Sequence, residues 1–385
     1  MSLTRFYPTP SDRMGILWTL LSIKDAVILE YSPMGTTSYL KKAYGAMKID
    51  IDNRIFPTGM TKDDVVMGDT SLLENEIVRL DKEMNPSVIF VMASTVSSVI
   101  GADVKGVCTC IQDDVSAKII VFTQGGFTAD FSSGRKIAYT KLVQELSVDK
   151  FDITDTYNIL GISEVVHSSL DDIENICEMM SENFHLKSNA ILSYDTTIEK
   201  IKSLSKAKIN LVLSYEALEA AEILKKRFGT PYIYKFPIGN DGQWLNLISN
   251  ELGLENKDSD KLFERPRLEN VKAVIYASFD RAMALNDYLA SLGVQVINIV
   301  STHKLNAIKD KPKKVVYFKS ESLVLEYFKT LEDCLVFGDS IISTNISASN
   351  THINIENVFL DTAETELILT CKEVERIIIQ LTVNV

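Results

Sequence analysis

The chain has 385 residues, of which 46% are apolar, and it carries a formal net charge of −12. This length predicts two or three domains with large cores, and the acidic balance excludes nucleic-acid-binding classes, which need clustered Lys and Arg. There is no apolar run of the roughly 18–20 residues that cross a bilayer and no signal-peptide layout, and five Cys without an extracellular framework predict reduced thiols in the cytoplasm.

The first α/β pattern extends to about residue 150. Asp25–Glu30 is predicted to be a strand, and the turn Tyr31–Thr37 follows it. Ser71 and Glu74 match a capping box at the start of a helix. Apolar residues then recur at helical spacing until Pro86, which has no backbone N–H and ends the helix.

A second strand and a polar turn come next. Val88–Met92 is a continuous apolar run, typical of a strand that is covered on both faces. The turn contains Thr95, and Val99–Asp103 is predicted to open the following helix. Ligands of doubly wound sheets bind at the carboxyl ends of strands, so this turn is a candidate site. Gly125-Gly126 lacks a phosphate-loop fingerprint and predicts a turn with positive φ.

The cysteines and histidines form no recognisable metal motif. Cys108 and Cys110 fall on a predicted helix, where residues two apart point to nearly opposite sides, so they are predicted to be structural thiols. The remaining Cys and the four His stand alone in sequence: Cys177, Cys334, Cys371, His167, His185, His303 and His352.

Two more α/β patterns follow, over residues 151–265 and 266–385. In the first of them, predicted strands and helices alternate as strands 190–193, 209–213 and 231–234 and helices 171–184 and 215–228. In the second, the predicted order is strand 271–276, helix 280–292, strand 294–300, strand 315–318, a helix to 331 and strand 334–337. Such strand–helix–strand units predict parallel sheets with right-handed crossovers.

The order and spacing of several pieces resemble one family. The pieces are Met67-Gly68-Asp69, Pro86, Thr95, Ile100–Asp103 and Gly126-Phe127, and, further along, the strand, helix, Gly-x-Pro and strand of residues 209–234. Together they resemble the nitrogenase component 1 type oxidoreductases. The resemblance implies three Rossmann-like domains with doubly wound, mainly parallel sheets around a central cleft, at residues 1–150, 151–265 and 266–385.

The resemblance also points to positions of cluster and cofactor ligands. The first strand keeps the family's Pro33 and Gly35, but Thr36 stands where the family has a cluster-ligating Cys. Thr95 stands at a second such position, with Gly101 and Gly126 in the following turns, and the N-terminal segment 6–15 lacks a third Cys. Hydroxyls replace thiolates poorly as ligands of soft metals. Two interpretations stay open: both Thr satisfy backbone groups in turns, or they line an empty or repurposed pocket.

The family's cofactor-ligating Cys falls on Ser214, whose alternative role is an ordinary N-cap. The resemblance implies a subunit of a nitrogenase-like oxidoreductase complex that carries no iron–sulfur cluster by itself and shares a substrate or cofactor cavity with a partner chain. The partner would be a second copy or a related component 1 chain, with a cluster only in that complex, and an ATP-dependent iron protein would donate electrons. The alternative is a non-redox protein that binds or scaffolds a small molecule, a tetrapyrrole or a metal cofactor. Neither nucleic acid nor a membrane is an expected partner.

Overall fold

A computed structural model of the chain describes residues 9–46, 51, 53–162, 169–238, 242–255, 268, 270–305, 308 and 310–355. These residues form two compact units. The one-sheet unit comprises Pro10–Phe151 and Ala190–Ser205. The two-sheet unit comprises the described parts of Met1–Thr9, Asp152–Asn189 and Lys206–Val385.

The strands are β1 (Val27–Tyr31), β2 (Ile55–Pro57), β3 (Val88–Ala93), β4 (Lys118–Phe122), β5 (Thr156–Leu160), β6 (Lys187–Ile191), β7 (Ile209–Val212), β8 (Tyr232–Tyr234), β9 (Lys272–Ala277), β10 (Gln295–Ser301), β11 (Val315–Val316), β12 (Cys334–Gly338) and β13 (Thr351–Asn354). The helices are α1 (Asp12–Leu21), α2 (Met34–Ala46), α3 (Lys62–Met67), α4 (Ser71–Met84), α5 (Thr95–Val99), α6 (Val104–Ile111), α7 (Phe131–Leu146), α8 (Ser169–Phe184), α9 (Ile198–Lys202), α10 (Leu218–Phe228), α11 (Gly242–Leu252), α12 (Phe279–Ser291), α13 (Glu321–Lys329) and α14 (Ser340–Ser343).

Three sheets have the strand orders β2-β1-β3-β4, β6-β5-β7-β8 and β11-β10-β9-β12-β13. All strand pairs whose register is defined in the described residues are parallel. The α/β class with parallel, doubly wound sheets is therefore confirmed. In each sheet the direction of strand addition reverses once, between β1 and β3, between β5 and β7, and between β9 and β12. The carboxyl ends at such a reversal are the usual place for a ligand.

The core of the first sheet follows the predicted apolar stripe of α4. Leu73, Ile77 and Leu80 are buried in one cluster with alternate residues of β1 and β3. The predicted capping box is wrong, because Ser71 is already the first helical residue and the N-cap position holds Thr70, without a side-chain cap bond. A capping box needs its hydroxyl on the residue that precedes the helix, and Ser71 is not that residue.

Helices α1 and α7 cover the other face of the first sheet and approach each other closely. A Cβ atom built on Gly15 would lie 1.9 Å from the carbonyl oxygen of Phe131, and one built on Gly134 would lie 1.8 Å from that of Asp12. Only glycine permits two helix backbones at this separation. The crossing fixes the start of α1, and therefore Arg13, against the sheet.

The elements of the second and third sheets lie where predicted, except that β6 begins three residues before the predicted strand 190–193 and β11 ends at Val316 and not at residue 318. Helix α10 ends at Gly229 and helix α12 is followed by Gly293, and both glycines have positive φ, of 82° and 87°. The predicted helix from residue 215 differs, because Tyr215–Ala217 forms a 3₁₀ turn before α10. Likewise α5 begins at Thr95, within the predicted turn, and the helix predicted from Val99 begins only at Val104.

Candidate functional site

The reversal point of the first sheet carries two of the predicted site residues. Tyr31 pairs with Ala93 at the ends of β1 and β3, so the segments with Thr36 and Thr95 start from the same edge. Thr36 lies in the first turn of α2 and not in a loop; its N–H donates to the carbonyl of Pro33 at 3.3 Å.

Thr95 is the first residue of α5, and its hydroxyl donates to the carbonyl oxygen of Gly125 at 3.0 Å. Thr95 thus satisfies a backbone group, as one of the two interpretations expects. Gly101 and Gly126 have positive φ, of 69° and 95°, which explains glycine in these turns. Gly35 lies in α2 with open space around its Cα.

A buried carboxylate lies directly under this edge. Glu30 is fully buried in β1 and forms an ion pair with the buried Arg13 of α1. Its Oε2 accepts hydrogen bonds from the hydroxyls of Ser32 at 3.2 Å and Thr37 at 2.7 Å. The hydroxyl of Thr58, after the end of β2, accepts the backbone N–H of Ser32 at 3.2 Å. The bond from Thr37 therefore ties the first turn of α2 to the buried charge of β1.

Exposed apolar side chains occur in the segments that follow the strands at this edge. Five large apolar side chains follow the ends of all four strands, and we call them the apolar rim: Met34 (59% exposed), Val66 (80%), Met67 (79%), Val99 (72%) and Phe127 (63%). Single exposed apolar residues are ordinary, but a group on one edge is a typical protein-interaction surface.

The rim is tied to the sheet by polar contacts. The Tyr31 hydroxyl donates to the carbonyl of Asp69 at 2.9 Å, which places the connection between α3 and α4 over the end of β1. Burial, with the nearby charges of Asp64 and Asp69, raises the pKa of Tyr31, so its phenol stays protonated and able to donate. A Cβ on Gly59 would lie 3.6 Å from the sulfur of Met34, so Met34 packs beside the segment that follows β2.

The third predicted residue, Ser214, lies at the reversal point of the second sheet. It occupies the N-cap position of the 3₁₀ turn, but its side chain makes no cap hydrogen bond, so the predicted capping role is wrong. The Oγ atom is buried without a hydrogen-bond partner in the described residues. It packs instead against Gly161 at the end of β5, where an added Cβ would lie 2.5 Å from it.

Polar and aromatic groups surround the segment that follows Ser214. The N–H of Tyr215 donates to Oδ2 of Asp280 at 2.9 Å, and the Tyr234 hydroxyl donates to Oδ1 of the same carboxylate. Burial first, and then Asp280, raises the pKa of Tyr234. The ring of His303 stacks on that of Tyr215, with centroids 5.6 Å apart.

The cysteines and His352 behave as ordinary side chains. Cys108 is buried and Cys110 exposed on α6, on different sides as predicted, and burial raises the pKa of Cys108 to about 12. His352 bonds through Nε2 to the carbonyl of Asp339, and burial lowers its pKa. In the described ranges no group of three or more His, Cys, Asp or Glu side chains could hold a metal ion. Cys371 lies outside the described residues.

A family profile described as nitrogenase component 1 type oxidoreductase matches residues 11–366. The chain belongs to this family. A solved structure described as nitrogenase Cp1 at pH 6.5 has the same fold, with a TM-score of 0.73 and 15% identity over 99% of this chain and 93% of that one. None of the helices in the described residues combines the length and apolarity that crossing a bilayer requires.

Curated relatives carry several roles within the family. The nitrogenase iron-molybdenum cofactor biosynthesis protein NifE of Nostoc sp. strain PCC 7120 is 23% identical over 81% of this chain and 68% of its own length. One subunit of the light-independent protochlorophyllide reductase of Heliobacterium modesticaldum is 24% identical over 61% and 48%. The nitrogenase molybdenum-iron protein alpha chain of Clostridium pasteurianum is 23% identical over 71% and 55%. The chain thus spans about half to two thirds of these proteins.

The family implies an iron–sulfur cluster at the first edge, and the side chains there do not suit one bound by this chain alone. Clusters are held by thiolates, whereas Thr36 and Thr95 offer hydroxyls, and that of Thr95 is donated to Gly125. The buried carboxylate of Glu30 under this edge is already occupied by Arg13 and by neighbouring hydroxyls.

Sequence reasoning missed the residues with the most specific contacts. Glu30 could have been found, because a carboxylate inside the apolar strand VILEY needs a buried partner. Its partner Arg13 is distant in sequence, so no local signal identifies the pair. Asp280 and His303 gave no pattern either, because their partners are on other elements of the two-sheet unit.

Proposed function

We propose that this chain is a subunit of a nitrogenase-like oxidoreductase complex that pairs with a second copy or a related chain through the apolar rim. The observation that carries the proposal is the exposure of apolar side chains after all four strands of the first sheet. Specific interfaces bury on the order of 1,600 Å² in total, and an apolar centre with a polar surround is typical of them.

The side chains at the cluster positions suggest which chain of the complex would bind the cluster. Hydroxyls at Thr36 and Thr95 leave this chain without thiolates at the positions that match the family's cluster ligands. A cluster at this edge would then be bound by thiolates of the partner, and this chain would supply one wall of a shared substrate or cofactor cavity. Two curated relatives are themselves a reductase subunit and an alpha chain, which supports a complex.

The proposal is tested by co-expression with a family member that keeps cysteines at the positions matching Thr36 and Thr95. We expect the two chains to co-purify anaerobically, with iron and acid-labile sulfide in the complex and none in this chain alone. The variant Phe127→Glu should abolish co-purification, because it buries a charge where the rim meets the partner. No association with the relative together with a monomeric isolated chain, or stoichiometric iron and sulfide in the isolated chain, would contradict the proposal and favour a binding or scaffold protein.

A further inference from the structure

The first turn of α12 contacts several elements of the two-sheet unit at once. Asp280 directly follows β9 of the third sheet, yet both its carboxylate oxygens bond to the second sheet, to the N–H of Tyr215 after β7 and to the hydroxyl of Tyr234 at the end of β8. A carboxylate is favourable in the first turn of a helix because of the helix dipole.

The next residue, Arg281, also contacts side chains of other elements in the two-sheet unit. Arg281 forms a buried ion pair with Asp172 of α8 and lies over the ring of Phe236, with 4.8 Å between its Cζ and the ring centroid. A charge pair with this little access to water depends on its geometry.

His303, which follows β10, contacts the residue before Asp280. Its Nε2 accepts the N–H of Phe279 at 3.2 Å, and its Nδ1 lies 3.2 Å from the carbonyl oxygen of Lys304. This pair of contacts assigns the ring proton to Nδ1. Its ring packs on Tyr215 at an interplanar angle of 25°. Three consecutive residues, Phe279 to Arg281, therefore connect α12 to β7, β8, β10 and α8.

We propose that Phe279-Asp280-Arg281 is a releasable clasp that holds the second and third sheets together and closes the carboxyl edge of the second sheet over Ser214. The Ser214 hydroxyl precedes the clasped Tyr215 in the chain and is buried without a partner beside Gly161, so it gains a hydrogen bond once water reaches it. Tyr234 is 37% exposed, which lets water compete for Asp280 from that side. This inference is independent of the pairing proposed for the first sheet.

The clasp is tested by hydrogen exchange of the full chain, followed by mass spectrometry. In Asp280→Ala we expect the exchange at residues 213–217 to rise at least about ten-fold, as for a local opening, with β9 and β12 unchanged. The control is Asp287→Ala, an exposed carboxylate on the same helix, which should leave the exchange at both places unchanged.

A thiol at position 214 reports the same opening chemically. In Ser214→Cys, N-ethylmaleimide should label the peptide with residue 214 slowly, and adding Asp280→Ala should accelerate its labelling at least about ten-fold. Unchanged exchange at 213–217 in Asp280→Ala would overturn the proposal, as would an equal rise in β9 and β12, which reports general unfolding. The exchange result is decisive even when Ser214→Cys does not fold.

Discussion

The first and second sheets have the same topology: their strand orders are β2-β1-β3-β4 and β6-β5-β7-β8. Their carboxyl edges nevertheless differ. At the first edge, a charge network around Glu30 is buried and apolar side chains stay exposed above it. At the second edge, a lone hydroxyl at Ser214 is buried, and helix α12 of the same unit covers the edge with polar and aromatic contacts. With the same topology, the residues at each edge therefore decide whether that edge stays exposed or is closed by the chain itself.

Breaking the charge network should give the largest effect on the first edge. Glu30→Gln breaks the buried ion pair with Arg13, so we expect a loss of about 3–5 kcal/mol in the free energy of unfolding. Urea titration measures this loss. The control Glu199→Gln removes an exposed i,i+3 pair with Lys202 and should have no measurable effect. A loss below about 1 kcal/mol for Glu30→Gln would contradict a structural role for the pair.

The glycine crossing that positions Arg13 gives the second test. Gly134→Ala places a methyl group against the backbone oxygen of Asp12 at 1.8 Å, so we expect a loss of about 1–3 kcal/mol or more. Gly35→Ala, also in a helix but with open space around it, should be neutral or stabilising by up to about 1 kcal/mol. Thermal unfolding compares the two variants, and equal melting temperatures would show that the crossing is not tight.

Substitution of the two cysteines of α6 should give a smaller difference in stability. Cys108→Ala removes a buried thiol and should cost about 1 kcal/mol, whereas Cys110→Ala should cost nothing measurable. Because burial raises the pKa of Cys108 to about 12, its thiol is protonated at pH 8, and N-ethylmaleimide should label Cys110 alone on this helix. Rapid labelling of Cys108 in the folded chain would overturn the assignment.

Removal of the Tyr234 hydroxyl from the clasp should give the smallest effect on stability, and this effect depends on pH. Burial and Asp280 raise the pKa of Tyr234 in the folded chain, so the folded state holds the phenol proton more tightly than the unfolded state does. The hydroxyl of Tyr234 therefore contributes to the free energy of unfolding below the unfolded-state pKa of about 10, and this contribution is lost as the pH rises above that value. The stability difference between the wild type and Tyr234→Phe should therefore shrink from pH 9 to pH 11. A constant difference would contradict the clasp geometry.

Much of the fold could be predicted because its signals are local. The strand at Val88 and the stripe of α4 are continuous or periodic in sequence, and glycines end α10 and α12 where predicted. The first residue of a helix was harder to predict. Ser71 and Thr70 are both favourable N-cap residues, and only the packing of α4 decides between them.

The candidate sites were predictable only in part. The resemblance identified Thr36, Thr95 and Ser214, and all three lie at reversal points of the sheets. The groups that set their surroundings, such as Glu30 and Asp280, pair with residues far away in sequence. Exposure of the apolar rim depends on the ends of four strands, so single-residue hydropathy does not reveal it.

The central claim, that the first edge is an interface, is tested most directly by the mass of the isolated chain in solution. Light scattering at micromolar concentration should give twice the 43.1 kDa of one chain. Phe127→Glu should give a single chain, and the control Leu247→Glu, at another exposed apolar position, should keep the dimer. A wild type that stays monomeric and also fails to associate with the co-expressed family member, or a dimer that survives Phe127→Glu, would contradict the claim.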